Sequence, residues 1–461
     1  MMLEVAALGP NGPYRSRRRL TVPDATGTAA VDLSCVPGLV LADWVRTLRS
    51  AEPVPPDEAR AVLAKAADVF EAQDVLGDSL PAHELRVATL TGTPLPVVRE
   101  CDAMITAKLR DVGRVLDLAT PAGAGTDVGG LRRGAVWCRR GEVFGVNAAG
   151  NSPGVHALWL EALALGYRVV VRPSTRDPLT AHRLVTALLS AGLPQDRLVL
   201  APGDHVTADA VVEQADRVLL YGGQAVVDRY RDRADVLTQG PGRSKLVVDG
   251  DHRTGLDLAA AGVLYHAGTA CTATTGVLVT REHRRFAADL ADALRGTSTA
   301  APWQDDATLP AMPVEQAEAL VADVLARVEP RQVRLAPRVE RVGGTGAAVL
   351  TPAVVELDDP RDPLLGHEVP FPCAFVAPFD RSEPDPLSGS LVVSFDTDDH
   401  DLVRWAVDHP LVSNAYVGHP TSWLHADVPH DGFLSEFLMR CKGFARTDRQ
   451  DPAAETSRSG R

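Results

Sequence analysis

Between Glu142 and Asp249 short β-branched runs alternate with helical segments. The runs are EVFGVNA, YRVVVRP, DRLVLAP, DRVLLYG and SKLVVDG, separated by helices such as SPGVHALWLEALALG and LTAHRLVTALLSAGL. Strands spaced by one helix each need parallel crossovers, so the pattern predicts an α/β, doubly wound parallel sheet. Ser152 and Pro153 suit a helix N-cap and first turn, and Gly192 a helix end. Upstream, PPDEARAVLAKAADVFEA sets Val62, Leu63, Ala66, Val69 and Phe70 at helical spacing, with Asp57 and Glu58 in the first turn. A second helical stretch covers roughly Leu80 to Leu116, and PAGAGTDVGG then breaks it as a linker or exposed ribbon. Residues 1–40 mix short β-prone pieces with turns and predict an irregular or ribbon-like entry. A second αβ region runs from about Thr254 to Gly418, and the polar end DRQDPAAETSRSGR predicts disorder.

Composition narrows the partners. The 461 residues are 45% hydrophobic and 23% charged, a balance for two or three packed domains. With 60 acidic against 47 basic residues, a net charge of −13 and no basic stripe, nucleic acid is not expected as a partner. The start has no leader pattern and no run reaches membrane-spanning length, which predicts a cytoplasmic protein without a membrane span. Six cysteines lie scattered without CxxC pairs or zinc spacing, so no metal is expected and each thiol is judged by its surroundings.

Ligands of doubly wound sheets bind at the carboxyl ends of the strands, here the loops after Val146, Val171, Ala201 and Leu220. No GxGxxG follows the first strand, so the sheet alone leaves the cofactor open. Chemistry is clearest at YHAGTACTATTGVLVT, where Cys271 lies among small residues between a helical stretch and a β-run. Small neighbours let a substrate approach the sulfur, and a loop offers backbone N–H groups to developing charge. A cysteine taken alone is more often a buried structural residue.

Five segments in order decide against that bland reading, because together they resemble the aldehyde dehydrogenase superfamily. The Cys271 segment resembles its Asn-x-Gly-Gln-x-Cys motif at Gly268 and Cys271, with His266 and Thr269 at the Asn and Gln positions. AAGNSPGV resembles Trp-Asn-x-Pro, which implies that Asn151 helps form an oxyanion hole. VVVRPSTRDPLTAH resembles Lys-Pro-Ser-x and implies that Arg172, Ser174 and Thr175 meet the adenosine ribose. YGGQAVVD resembles Phe-Thr-Gly-Ser, placing Gly222 and Gly223 under the cofactor, and GHEVPFPCAFVAPFD resembles Glu-x-Phe-Gly-Pro-Val, placing Glu368 on the nicotinamide ribose. The resemblance runs from Glu142 to Asp380, more than half of the chain.

It implies an aldehyde dehydrogenase-like fold. Residues 1–248 would hold N-terminal helices and a nucleotide-binding domain, with the family's β-arm near 117–140. Residues 249–420 would form a catalytic domain, and 421–461 a C-terminal segment. The family forms homodimers or homotetramers. The cofactor implied is NADP(H) or NAD(H), with NADP(H) favoured because Thr175 stands where NAD-preferring relatives carry a Glu and because Arg172 and Arg176 are nearby.

One departure changes the expected reaction. QGPGRSK matches the segment that opens with the general-base Glu of hydrolysing members, so Gln239 stands at the base position. An amide accepts no proton at neutral pH, and loss of a general base costs a factor of about 10² to 10⁴. The same absence marks CoA-acylating aldehyde dehydrogenases and the fatty acyl-CoA reductases of bacterial luminescence. The reaction expected is therefore reduction of an acyl thioester, on CoA or a carrier protein, to an aldehyde. Two alternatives stay open: oxidation of an aldehyde to an acid, and a degenerate member acting as a binding subunit.

Overall fold

The computed structural model describes residues 2–447 apart from 73 and 426; the expected disorder of the C-terminal tail falls outside the described residues. Two seven-stranded sheets dominate. The first has the order Val236–Gln239, Arg217–Tyr221, Val143–Asn147, Arg168–Arg172, Leu198–Leu200, Ala7–Gly9, Gly12–Tyr14. Its first five strands are parallel, and the N-terminal hairpin extends it antiparallel. From Val143–Asn147 the chain winds outward to Leu198–Leu200, then returns to the other side through Arg217–Tyr221. The winding direction therefore reverses between Val143–Asn147 and Arg217–Tyr221, which opens a crevice at their carboxyl ends.

Helices cover both faces, as expected of a doubly wound sheet. Pro56–Glu71, Leu95–Ala119 and Leu179–Ser190 build one apolar layer around Phe70, Ile105, Trp159 and Leu184, while Gly38–Ser50 and His205–Gln214 cover the other. Three sequence expectations need correction. Gly38–Ser50 is a helix burying Leu41, Trp44, Val45 and Leu48, where an irregular entry was expected up to residue 40. The stretch Leu80 to Leu116 is two helices, Leu80–Thr91 and Leu95–Ala119, split at Gly92, whose φ of 71° ends the first. The run SKLVVDG does not join the first sheet: Lys245–Val248 lies inside the second. In its place the unforeseen strand Val236–Gln239 forms the first sheet's edge.

The second sheet has the order Val333–Leu335, Ala353–Glu356, Cys373–Pro378, Gly276–Val279, Lys245–Val248, Ser390–Asp396, Val412–Val417. All its neighbours are parallel except the first pair. Helices His252–Leu264 and His283–Leu294 pack on one face, and Val314–Ala326 and His400–Asp408 on the other. A separate three-stranded sheet joins Met439–Ala445 antiparallel to Arg133–Arg139, with Ala124–Gly125 beyond it. Among the described residues no helix is long and apolar enough to cross a membrane.

Candidate active site

The carboxyl ends of the first sheet face the amino ends of the second across a cavity of about 380 Å³. Asn151, Tyr221, Gly222, Gly223 and Gln239 come from the first sheet, and Cys271, Glu368 and Phe371 from the second. Of the residues expected at the site, Cys271, Asn151, Gly222, Gly223, Gln239 and Glu368 thus line one space. Arg172, Ser174 and Thr175 do not line it.

Cys271 follows a sharp reversal. After helix His252–Leu264 the residues His266, Ala267 and Gly268 all take left-handed backbone, with φ of 45°, 59° and 69°. Such conformations cost about 1–3 kcal/mol each for residues other than glycine and persist only where the surroundings enforce them. Here Gly268 is enforced: a Cβ on it would lie 2.4 Å from the Pro372 nitrogen. His266 stacks on Tyr265 at 4.0 Å and points its Nε2 to the Glu100 carboxylate at 3.5 Å. The reversal delivers Cys271 to the cavity just ahead of strand Gly276–Val279.

Asn151 and Thr269 are laced together. One amide N–H of Asn151 donates to the Thr269 carbonyl at 2.8 Å, and the Thr269 hydroxyl donates to the Asn151 carbonyl at 3.1 Å. Ser152, not Asn151, caps the following turn by accepting from the Gly154 N–H. The second amide hydrogen of Asn151 therefore remains for the cavity it lines.

Gln239 ends its strand in register with Tyr221, and the loop Gly240–Ser244 then carries the chain into the second sheet. Glu368 has an exposed side chain at the rim, and one of its oxygens accepts from the Gly242 and Arg243 N–H groups at 3.1 and 3.0 Å. The crowded wall around it pushes its carboxyl above the usual range, against those two N–H groups. Burial likewise drives the Cys271 thiol up to about 12, with the negative charges of Glu368 and Asp431 adding to it. The N–H groups of Cys271 and Thr272 oppose this shift. Lys245, buried behind the loop and bonded to Ser390 Oγ at 2.7 Å, is pushed down to about 8 by the same loss of water.

Arg172 gives Nε and Nη2 to the Gly203 carbonyl at 3.0 and 2.7 Å, and Arg176 gives its guanidinium to the Thr91 carbonyl. The Ser174 hydroxyl accepts from the Arg176 N–H at 3.1 Å. Sequence reasoning missed Tyr221, which occupies the aromatic position of the Phe-Thr-Gly-Ser match and lines the cavity with its phenol pushed up by burial. It also missed Ser244 and Thr421, whose neighbours in the chain give no sign of their contacts.

A model of the aldehyde dehydrogenase family matches residues 148–384, just over half of the chain. The chain belongs to the aldehyde dehydrogenase family. Curated relatives include a mitochondrial aldehyde dehydrogenase of Leishmania tarentolae, 31% identical over 129 residues, and aldehyde dehydrogenase 1A1 of Homo sapiens, 30% identical over 142 residues. These matches span 26% and 28% of the relatives' length, and the same shares of this chain. Structural likeness extends much further. The aldehyde dehydrogenase KauB from Pseudomonas aeruginosa superposes with a TM-score of 0.80 over 96% of this chain and 97% of its own, at 16% identity. An indole-3-acetaldehyde dehydrogenase of P. syringae, AldA, in complex with NAD+ and IAA also gives 0.80, at 17% identity and the same coverage. This aldehyde dehydrogenase family member therefore keeps the fold across nearly its whole length while its sequence has diverged widely.

Proposed function

We propose that the protein is a nicotinamide-dependent oxidoreductase that interconverts an acyl thioester and an aldehyde, working toward reduction of an acyl-CoA or carrier-bound acyl group held on Cys271. The observation that carries this reading is Gln239, an amide at the base position and in the same cavity as Cys271. Among the described residues lining that cavity, Glu368 is the one carboxylate, and it is tied to the loop's N–H groups. No group placed there suits removal of a proton from water, whereas a thiol gives up its proton far more readily than water and depends less on such a base.

In the exchange, the Cys271 sulfur bonds to the acyl carbon as the bond to the departing thiol breaks, and the Cys271 proton leaves with that thiol. The free amide hydrogen of Asn151 and the backbone N–H of Cys271 stabilise the carbonyl oxygen as it gains charge. When bound, the nicotinamide supplies the hydride that turns the acyl group into aldehyde, with a solvent proton restoring the thiol.

The residues present suit that cofactor. Gly223 lines the cavity, and a Cβ on it would meet no atom within 4 Å, so the backbone there is open to close approach by a ligand. Glu368 at the rim offers an acceptor for ribose hydroxyls. We assign Gly222, Gly223 and Glu368 to the nicotinamide end, and Arg172, Ser174 and Thr175 to the adenosine end. AldA's complex with NAD+ supports a nicotinamide cofactor here. Because Thr175 carries no charge to repel a 2′-phosphate, NADPH should serve at least as well as NADH. Arg176 adds nothing to this, being held on Thr91.

The proposed organisation has a nucleotide-binding domain up to Gln239, a catalytic domain from Lys245 to about residue 420, and a C-terminal segment that contributes to a β-arm. The outer edge of Met439–Ala445 has no strand partner among the described residues, which supports a homodimer or homotetramer. Aldehyde oxidation to an acid is the second reading, favoured by the relatives' names, and would require water positioned by Gln239. Nicotinamide absorbance followed with a panel of acyl-CoA thioesters and the matching aldehydes, each with both cofactors, separates the two. Turnover of thioesters with NADPH or NADH is expected; turnover of aldehydes alone, yielding free acid, would overturn the proposal.

A further inference from the structure

Three carbonyls of the nucleophile segment are each held by a side chain from a distant part of the chain. Asn151 Nδ2 donates to the Thr269 carbonyl at 2.8 Å, Ser244 Oγ to the Cys271 carbonyl at 2.8 Å, and Thr421 Oγ1 to the Thr272 carbonyl at 2.7 Å. Ser244 and Thr421 are fully buried; Ser244 lies in the QGPGRSK segment, where only Gln239 was given a part, and Thr421 lies outside every matched segment. Thr421 is fixed in turn by Thr274, with the two hydroxyl oxygens 2.7 Å apart, and both crowd Gly262, where a Cβ would come within 2.1 Å of Thr274 Oγ1. Ser244 is fixed by its loop. Gly242 lies flat against the Cys271 backbone, a Cβ there falling 1.9 Å from the Cys271 carbonyl oxygen, and Glu368 draws in the Gly242 and Arg243 N–H groups.

We propose that Ser244 and Thr421 are positioning residues for Cys271: by holding the carbonyls of Cys271 and Thr272, they fix the two peptide planes that follow the sulfur-bearing residue, the first of which carries the Thr272 N–H. A peptide unit is planar, so holding a carbonyl sets the direction of the N–H in the same plane. Ser244 fixes the plane containing the Thr272 N–H in this way. Thr421 fixes the next plane and thereby the turn that keeps Thr272 in place. The Cys271 and Thr272 N–H groups are the ones that favour a charged sulfur at this position. Losing either hydroxyl should let the turn relax and weaken that support, and small misplacements of a reacting group are costly in rate.

This inference rests on Cys271 being the nucleophile, so the test begins with Cys271→Ala, which must abolish turnover for the rest to apply. Thr421→Val removes the hydroxyl at nearly constant volume, Thr421→Ser keeps it, and Ser244→Ala provides a second, smaller deletion if the valine variant fails to fold. We expect kcat to fall roughly 10- to 100-fold in Thr421→Val and Ser244→Ala, the scale of a displaced reacting group. KM for the acyl thioester and Kd for the cofactor should change less than about threefold, and Thr421→Ser should retain kcat. Iodoacetamide labelling of Cys271, resolved by peptide mass spectrometry between pH 7 and 9, should be slower than in the natural protein at every pH. Unchanged kcat and labelling in both folded deletions would overturn the inference while leaving Cys271 as the nucleophile. So would a loss of kcat matched by equal loss of cofactor affinity. Activity surviving in Cys271→Ala would instead overturn the functional reading itself.

Discussion

At the residue scale the Cys271 thiol is the telling case. A free cysteine ionises near pH 8.5, and this one is pushed up to about 12 by burial, with Glu368 and Asp431 adding to the effect. The charged form is the reactive one, so its fraction should rise about tenfold per pH unit until the shifted pKa is approached. Labelling of Cys271 by iodoacetamide in the cofactor-free protein should therefore climb steadily from pH 7 to 9; a plateau below pH 8 would show a thiolate already stabilised. Asn151 is proposed to meet a different demand, its remaining amide hydrogen serving an oxygen only while charge develops. Asn151→Ala should lower kcat by roughly 10² to 10³ with little change in cofactor affinity. Equal losses of kcat and melting temperature would mean that its bond to Thr269 matters only for folding. The sequence singled out Cys271, Asn151 and Gln239, which the fold brings to one cavity, because each sits in a short motif of fixed spacing. Ser244 and Thr421 were hidden because what they do depends on contacts 27 and 149 residues away in the chain.

At the element scale the site is made by strand ends and by glycines that admit close backbone contact. Gly223 and Gly242 show two opposite uses. Gly242 has no room for a side chain beside Cys271, whereas Gly223 has open space and an ordinary extended backbone. Gly223→Ala should thus leave the melting temperature within about a degree or two, because the added methyl group meets nothing in the protein. It should weaken cofactor binding measurably in a fluorescence titration, because the methyl group would stand in the space proposed for the cofactor. Unchanged affinity would remove Gly223 from the cofactor site. Helix and strand periodicity located most elements of the first sheet, but boundaries set by tertiary contact escaped it. Gly92 ends a helix where a Cβ would strike the Ala311 carbonyl, a partner more than 200 residues away. Lys245–Val248 has the same β-branched pattern as the strands before it, and only its neighbours reveal that it crosses to the other sheet.

At the scale of the whole molecule, two sheets meet with their strand ends across one cavity, and each contributes what its strand polarity provides. Carboxyl ends bring the Asn151, Gly222–Gly223 and Gln239 segments; amino ends bring Cys271 and Glu368. This arrangement was foreshadowed by the alternation of strands and helices, although the three-stranded arm was not readable from periodicity, because Arg133–Arg139 and Met439–Ala445 pair across 300 residues. The exposed outer edge of that arm supports self-association, and light scattering coupled to gel filtration should return the mass of a dimer or tetramer. A monomer at all concentrations tested would contradict this. The central claim concerns how the acyl group leaves Cys271 when Gln239 replaces a base. The most direct measurement supplies an aldehyde and oxidised cofactor in the absence of any thiol and follows reduced cofactor over time. The account predicts a burst of at most one equivalent per active site, with steady turnover restored by adding CoA. Sustained turnover and free acid without a thiol would contradict it.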